Sequence, residues 1–225
     1  MKHWKRKLGM LLLTLPVAYS SALLASGNSK AFEVTITNIT KGEIFTPIMV
    51  ASHGPGIKLF KLVQPAGKEL EMLAEGGDTG PLSERLADAG ALDVVSTGDV
   101  LPPGHSVTVH VRTNPRNDRV SVAAMLVPSN DAFFAVNGVQ GPRRHRSKAV
   151  MSPAYDAGTE TNDELCVSIP GPPFICMGEG YNPASGEGYV YIHPGIQGIA
   201  DLNAADHDWN NPVAKIKIRQ VRHKD

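Results

Sequence analysis

The sequence predicts an all-β domain, a β-sandwich carrying one short helical insertion. Three observations carry this. Apolar and polar residues alternate in several short segments, Gly- and Pro-rich turns separate those segments, and only one region spaces its leucines helically. A chain of 225 residues can bury a full core as one domain, and it shows no internal repeat, low-complexity tract or linker.

The elements follow in order. Residues 1–26 form a basic start (Lys2, Lys5, Arg6, Lys7), an apolar run over 8–17, and small residues from Ala18 to Ser26. That is the plan of a secretory signal peptide, with Ser20 and Ala22 as a small-x-small cleavage pair or a site nearer Ala25 or Ser26. The apolar core is short for a bilayer span, and no Cys follows it to carry a lipid. The expectation is a signal peptide over 1–26 and one domain over 27–225, periplasmic or extracellular.

Phe32–Asn38 alternates Phe32, Val34 and Ile36 with polar neighbours, as a half-buried strand does. Ile44–Ala51 is a second apolar stretch, closed by a His-Gly-Pro-Gly turn over 53–56. Between Lys68 and Ala89, Leu70, Leu73, Leu82 and Leu86 predict two short helices broken by Gly76–Pro81, with Thr79 as a cap before Pro81. Ser106–Arg112 alternates again, and the turn 114–118 leads into the β-branched, apolar strand Arg119–Val127. Gly188–His193 reads as a strand ended by Pro194-Gly195. Val213–Val221 sets Ile216 and Ile218 opposite Lys215, Lys217 and Arg219, which suits a sheet with one wet face or a defended edge.

Composition excludes one class of function. The whole chain balances 22 basic against 22 acidic residues, but four of the bases lie in residues 1–26, where there is no acid. The remaining body is mildly acidic and only 6% of residues are aromatic, so neither phosphate attraction nor base stacking supports nucleic-acid binding.

Two cysteines, Cys166 and Cys176, flank a proline-rich segment. In an oxidising compartment so close a pair forms a disulfide. Two buried free thiols are the alternative.

Enzyme templates are missing: there is no G-x-S-x-G elbow, H-E-x-x-H helix or phosphate loop. The most catalytic-looking cluster is Asp206, His207 and Asp208, with His193 upstream. These side chains can bind a metal, or an acid can orient His207 as a base; equally, they can cap backbone N–H groups of a polar loop. Arg143–Lys148 is the one basic run, a solvated loop or a docking site for an acidic partner or polysaccharide. Pro128–Asp131 and Tyr155–Glu164 are rich in oxygen donors, the ligands that calcium takes, although neither follows a D-x-D-x-D-G pattern and Asx turns explain both without metal.

Several of these blocks, in order, resemble the spondin domain, the N-terminal module of F-spondin and the bulk of mindin, and its bacterial stand-alone members most of all. They are Phe32–Asn38, Asn114–Val122, Met125–Phe133, Tyr155–Thr159 and Asp208–Ala214. The resemblance implies an eight-stranded antiparallel β-sandwich similar to calcium-dependent membrane-binding domains. It also implies one calcium ion near one end, held in part by carboxylates at positions that here are Asp131 and Asp156. A third acid of the animal pattern falls near Arg112, which cannot ligate calcium, so Glu160 or Asp163 is the substitute if the ion binds. The function implied is a non-catalytic binding or adhesion domain for an extracellular or envelope ligand, protein or polysaccharide. The alternatives are an envelope-polymer hydrolase using His193, Asp206, His207 and Asp208, or an envelope structural protein.

Overall fold

The computed structural model describes residues 30–144, 146–182 and 186–222; the segment read as an export signal and its cleavage sites lie outside them. Two antiparallel sheets pack as a sandwich. The first has four strands in the order β5 (Ser106–Thr113), β1 (Lys30–Asn38), β11 (Ala214–Arg222), β8 (Ser147–Ser152). The second runs β10 (Tyr191–Ile192), β9 (Ala154–Asp156), β7 (Ala132–Gln140), β6 (Arg119–Val127), β3 (Met49–His53), β4 (Asp93–Ser96), with β2 (Ile44–Phe45) beside β6. Among the described residues there are eleven strands rather than eight, four of them pieces of two to four residues.

Alternation decides the first sheet. Along β1, Phe32, Val34 and Ile36 point inward, matched in register by Val111, Val109 and Val107 of β5 and by Gln220, Ile218 and Ile216 of β11. Lys215, Lys217 and Arg219 face water from β11, so its charged stripe marks the sheet's wet face and not its edge: β11 lies between β1 and β8. The second sheet is covered on both sides, which is why β6 is nearly continuous apolar sequence. Val120, Val122, Ala124 and Leu126 meet the first sheet, while Met49, Ala51, Ala123 and Phe133 pack under the helices α1 (Lys68–Gly76) and α2 (Gly80–Asp88).

The helices carry Leu70, Leu73, Leu82 and Leu86 fully buried onto that outer face. Gly77, at φ 67°, ends α1 in the left-handed conformation and returns its N–H to Leu73 O. Thr79 occupies the capping position of α2 but makes no cap; its hydroxyl pairs with Ser96 Oγ at 2.7 Å.

Three further expectations change. The apolar stretch 44–51 splits because Pro47 has no N–H to pair; Phe45 instead exchanges both backbone bonds with Leu101. Only Tyr191–Ile192 of the segment 188–193 joins a strand ladder, since Val190 pairs with the loop at Val63 and Gln64. Ser147 and Lys148, placed at sequence level in a basic loop, begin β8. Cys166 and Cys176 form a disulfide with Cα atoms 4.9 Å apart, and neither is a free thiol.

Strands β6 and β7 fix the two ends of the sandwich. At one end β6 runs into Pro128–Asp131 and β7 starts; at the other, Asp118 precedes β6 and Gly141 follows β7. Nine residues separate them, roughly 30 Å at strand rise.

Candidate functional site

The first of those ends gathers carboxylates. Asp131 closes the turn after β6 and is fully buried. Its backbone carbonyl accepts a bond from Ala157 N, which places it beside β9, where Asp156 pairs across to both Ala132 and Tyr191. Asp131 Oδ2 accepts three hydrogen bonds, from Thr159 N (2.8 Å), Thr159 Oγ1 (3.2 Å) and Glu160 N (3.2 Å). Its Oδ1 is buried with no partner. Gly158 makes the approach: at φ 68°, it lies so close to Tyr189 that an added Cβ would stand 2.2 Å from the Tyr189 carbonyl oxygen.

Asp156, also fully buried, accepts from Gly158 N at 2.7 Å through Oδ1 and from Asn162 Nδ2 at 2.6 Å through Oδ2. Asn162 in turn accepts from His193 Nε2 at 3.1 Å, and His193 Nδ1 accepts from Gly195 N at 3.0 Å. This assigns the proton to Nε2. Burial lowers His193 to about 4, so it is neutral at ordinary pH, and its one lone pair is engaged.

Glu160 is buried with Oε2 unpartnered, and burial, Glu75 and Asp163 push it up to about 8. Glu75, at the end of α1, is buried and raised as well; its Oε2 accepts from Asn182 N at 2.9 Å. Asp163 Oδ1 accepts from Asn130 Nδ2 and Leu165 N. Burial raises Asp131 well above the ordinary carboxylate range, and the charge of Asp156 adds to it; burial raises Asp156 too, against the bonds from Asn162 and Tyr191. Among the described residues, no Lys or Arg forms an ion pair with Asp131, Asp156 or Glu160. The arrangement is a set of carboxyl groups held out of water without a cationic partner, and it holds its protons more tightly than carboxyls in water do.

Its donor chemistry suits a hard cation, since Asp131 Oδ1 and Glu160 Oε2 are orphaned acceptors. Among the described residues no three His, Cys, Asp or Glu side chains converge as a ready metal cage, so further oxygens would have to come from carbonyls, amides or water. Arg112 lies elsewhere, on β5, with its guanidinium 3.4 Å from Asp93.

The remaining sequence candidates fall into separate settings. His207 Nδ1 stands 3.4 Å from Oε1 of Glu43, without hydrogen-bond alignment. Burial raises the fully buried Glu43 to about 7, and contact with it raises His207. Asp208 Oδ1 accepts from Ile196 N, and Asp206 Oδ2 from Asn203 Nδ2 at the start of α3 (Ala204–His207). His193 therefore works with Asn162 and Asp156, and His207 with Glu43. Sequence reasoning missed Glu43 and Glu75, which no motif surrounds. Asn162 lay within the oxygen-rich stretch 155–164 and was open to notice.

A family model described as Spondin_N matches residues 27–163, more than half of the chain. A comparison with curated proteins finds no match.

Proposed function

The chain belongs to the Spondin_N family, and on that premise we propose that it is an exported, non-catalytic binding or adhesion domain whose acidic end is organised by one calcium ion. The observation that carries this is the pair of buried, unpartnered carboxylate oxygens on Asp131 and Glu160, beside Asp156 and without a countercharge. Asp131 and Asp156 would hold the ion, with Glu160 taking the place of the acid missing at Arg112. Asp163 is the weaker substitute, because Asn130 and Leu165 already occupy its Oδ1. The ion supplies charge neutralisation and ties the turn after β6 to the loop after β9. The disulfide agrees with an oxidising compartment, and among the described residues no helix is long and apolar enough to cross a membrane. The ligand class proposed is an extracellular or envelope protein or polysaccharide.

The test is thermal unfolding of residues 27–225 after chelator treatment, with and without millimolar calcium. An ion bound only by the folded state at 100 times its dissociation constant adds about 2.7 kcal/mol. Asp131→Asn and Asp156→Asn should each lose the shift, and the double variant should lose little more than either. No shift in stripped wild type, or a full shift in Asp131→Asn, would reject the calcium reading.

A further inference from the structure

The opposite end of the sandwich has the reverse charge. There the turn 114–118, the corner 141–144 and the paired termini of β1 and β11 enclose a cavity of about 320 Å³. Its lining includes three cations, Lys30, Arg143 and Arg144, against one acid, Asp118. Asp118 is already shared: Oδ1 lies 3.5 Å from Arg119 Nε, and Oδ2 lies 3.5 Å from Arg143 and accepts from Gln140 Nε2. Arg116, Arg146 and Arg222 are exposed around it, on the same turn, the same corner and the residue paired with Lys30. Three exposed basic side chains therefore line the cavity and three more lie on the segments that form it, while its one carboxylate among the described residues is engaged.

Two details show that the cavity is built and not incidental. Arg144 sits at φ 58°, a left-handed conformation that glycine takes freely and arginine takes only under strain. Its N–H is held there by Gln220 Oε1 at 3.1 Å. Gly141 lets the chain close on the Phe32 ring that floors the cavity; an added Cβ would stand 2.2 Å from Phe32 Cζ.

We propose that this end binds an acidic polysaccharide, one charged sugar residue seated in the cavity and its neighbours running along the arginine rim. The inference rests on the reading of the chain as a binding domain and names its partner class, at a site remote from the carboxylates. A single small anion would need neither this volume nor cations on three separate segments, whereas a polymer with repeating carboxylate or sulfate groups uses both. Pro115 and Pro142 offer flat apolar faces for the C–H side of a sugar ring, between guanidinium groups suited to its acid substituent. A lipid surface fits less well, because among the described residues no exposed large apolar side chain lines the cavity to enter a bilayer.

The test is titration calorimetry of residues 27–225, in chelator, against polygalacturonate, heparin and neutral dextran, with a phosphatidylglycerol vesicle arm. Binding to one or both acidic polymers, weakening as salt rises and absent for dextran, is expected; which polymer binds distinguishes carboxylate from sulfate. Arg144→Gly should raise the dissociation constant at least tenfold while keeping or raising the melting temperature, so that lost binding is not lost folding. Lys217→Ser, on the wet face of the first sheet, should bind as wild type. Dextran binding, vesicle binding without polymer binding, or an equal loss in Lys217→Ser would each overturn the proposal. Absence of polymer binding with calcium stabilisation intact removes this inference alone; polymer binding without calcium stabilisation removes the calcium site alone.

Discussion

Replacing Glu160 with glutamine should abolish much of the loss of stability that the protein suffers between pH 4.5 and pH 7. Glu160 carries its proton in the folded state up to about pH 8, against an ordinary carboxyl value of 4.5. Between those values the folded chain binds more protons than the unfolded one, so stability falls as pH rises through this window. At about 1.36 kcal/mol per pH unit, wild type loses on the order of 3 kcal/mol between pH 4.5 and pH 7 through this one group. Glutamine has nearly the same shape and no proton to lose. For a chain of this size, melting temperature moves roughly 2–4 °C per kcal/mol, so in chelator the variant should outlast wild type by roughly 6–12 °C more at pH 7 than at pH 4.5. Calcium favours the ionised carboxylate, so its stabilisation of wild type should grow from pH 5 to pH 8 and be much smaller in the variant. The assay is a melting series by circular dichroism in 0.5-unit pH steps (about six points suffice). Parallel curves for wild type and Glu160→Gln in chelator would refute the argument, because Glu160 would then not be the buried proton carrier.

Two further outcomes test packing and covalent structure. Gly141→Ala forces a methyl against the Phe32 ring and should cost about 1–3 kcal/mol by overpacking, read as a lower denaturant midpoint at unchanged slope; an unaltered midpoint would mean that the corner yields freely. Replacing Cys166 and Cys176 with serine opens a short loop and should cost roughly 2–3 kcal/mol in the same assay, with no loss expected if the loop is ordered by its other contacts alone.

Legibility followed burial. Strands β1, β5 and β11 alternate because one face is wet, and β6 announces itself by an unbroken β-branched run. Strand β7 went unread: it is buried on both faces, and its Asn137-Gly138 pair has the look of a turn. In fact Asn137 binds the loop at Leu59 and Phe60, and Gly138, at φ 72°, turns its N–H to Ser121 Oγ beside the register shift in β6. Strand β8 hid for the opposite reason, being a mostly exposed edge without clean apolar-polar alternation. At the site, Asp131 and Asp156 were found through the family resemblance to their local motifs. Glu75 could not be, since a glutamate near a helix end normally faces water. Only the meeting of α1 with the loop after Asp156, more than 80 positions later in the chain, puts it underground.

The central place of β11 sets a condition on how the chain is made. The first and last strands are neighbours over nine residue pairs, and β8 reaches β1 only through β11. Until β11 has left the ribosome, β1 and β8 are separated by a missing strand, and the first sheet is not complete. Such distant pairing favours late, cooperative closure over growth from the N-terminus. It also makes the family-matched portion, residues 27–163, an incomplete folding unit: cut there, the chain retains both flanks of the gap and loses the strand that fills it.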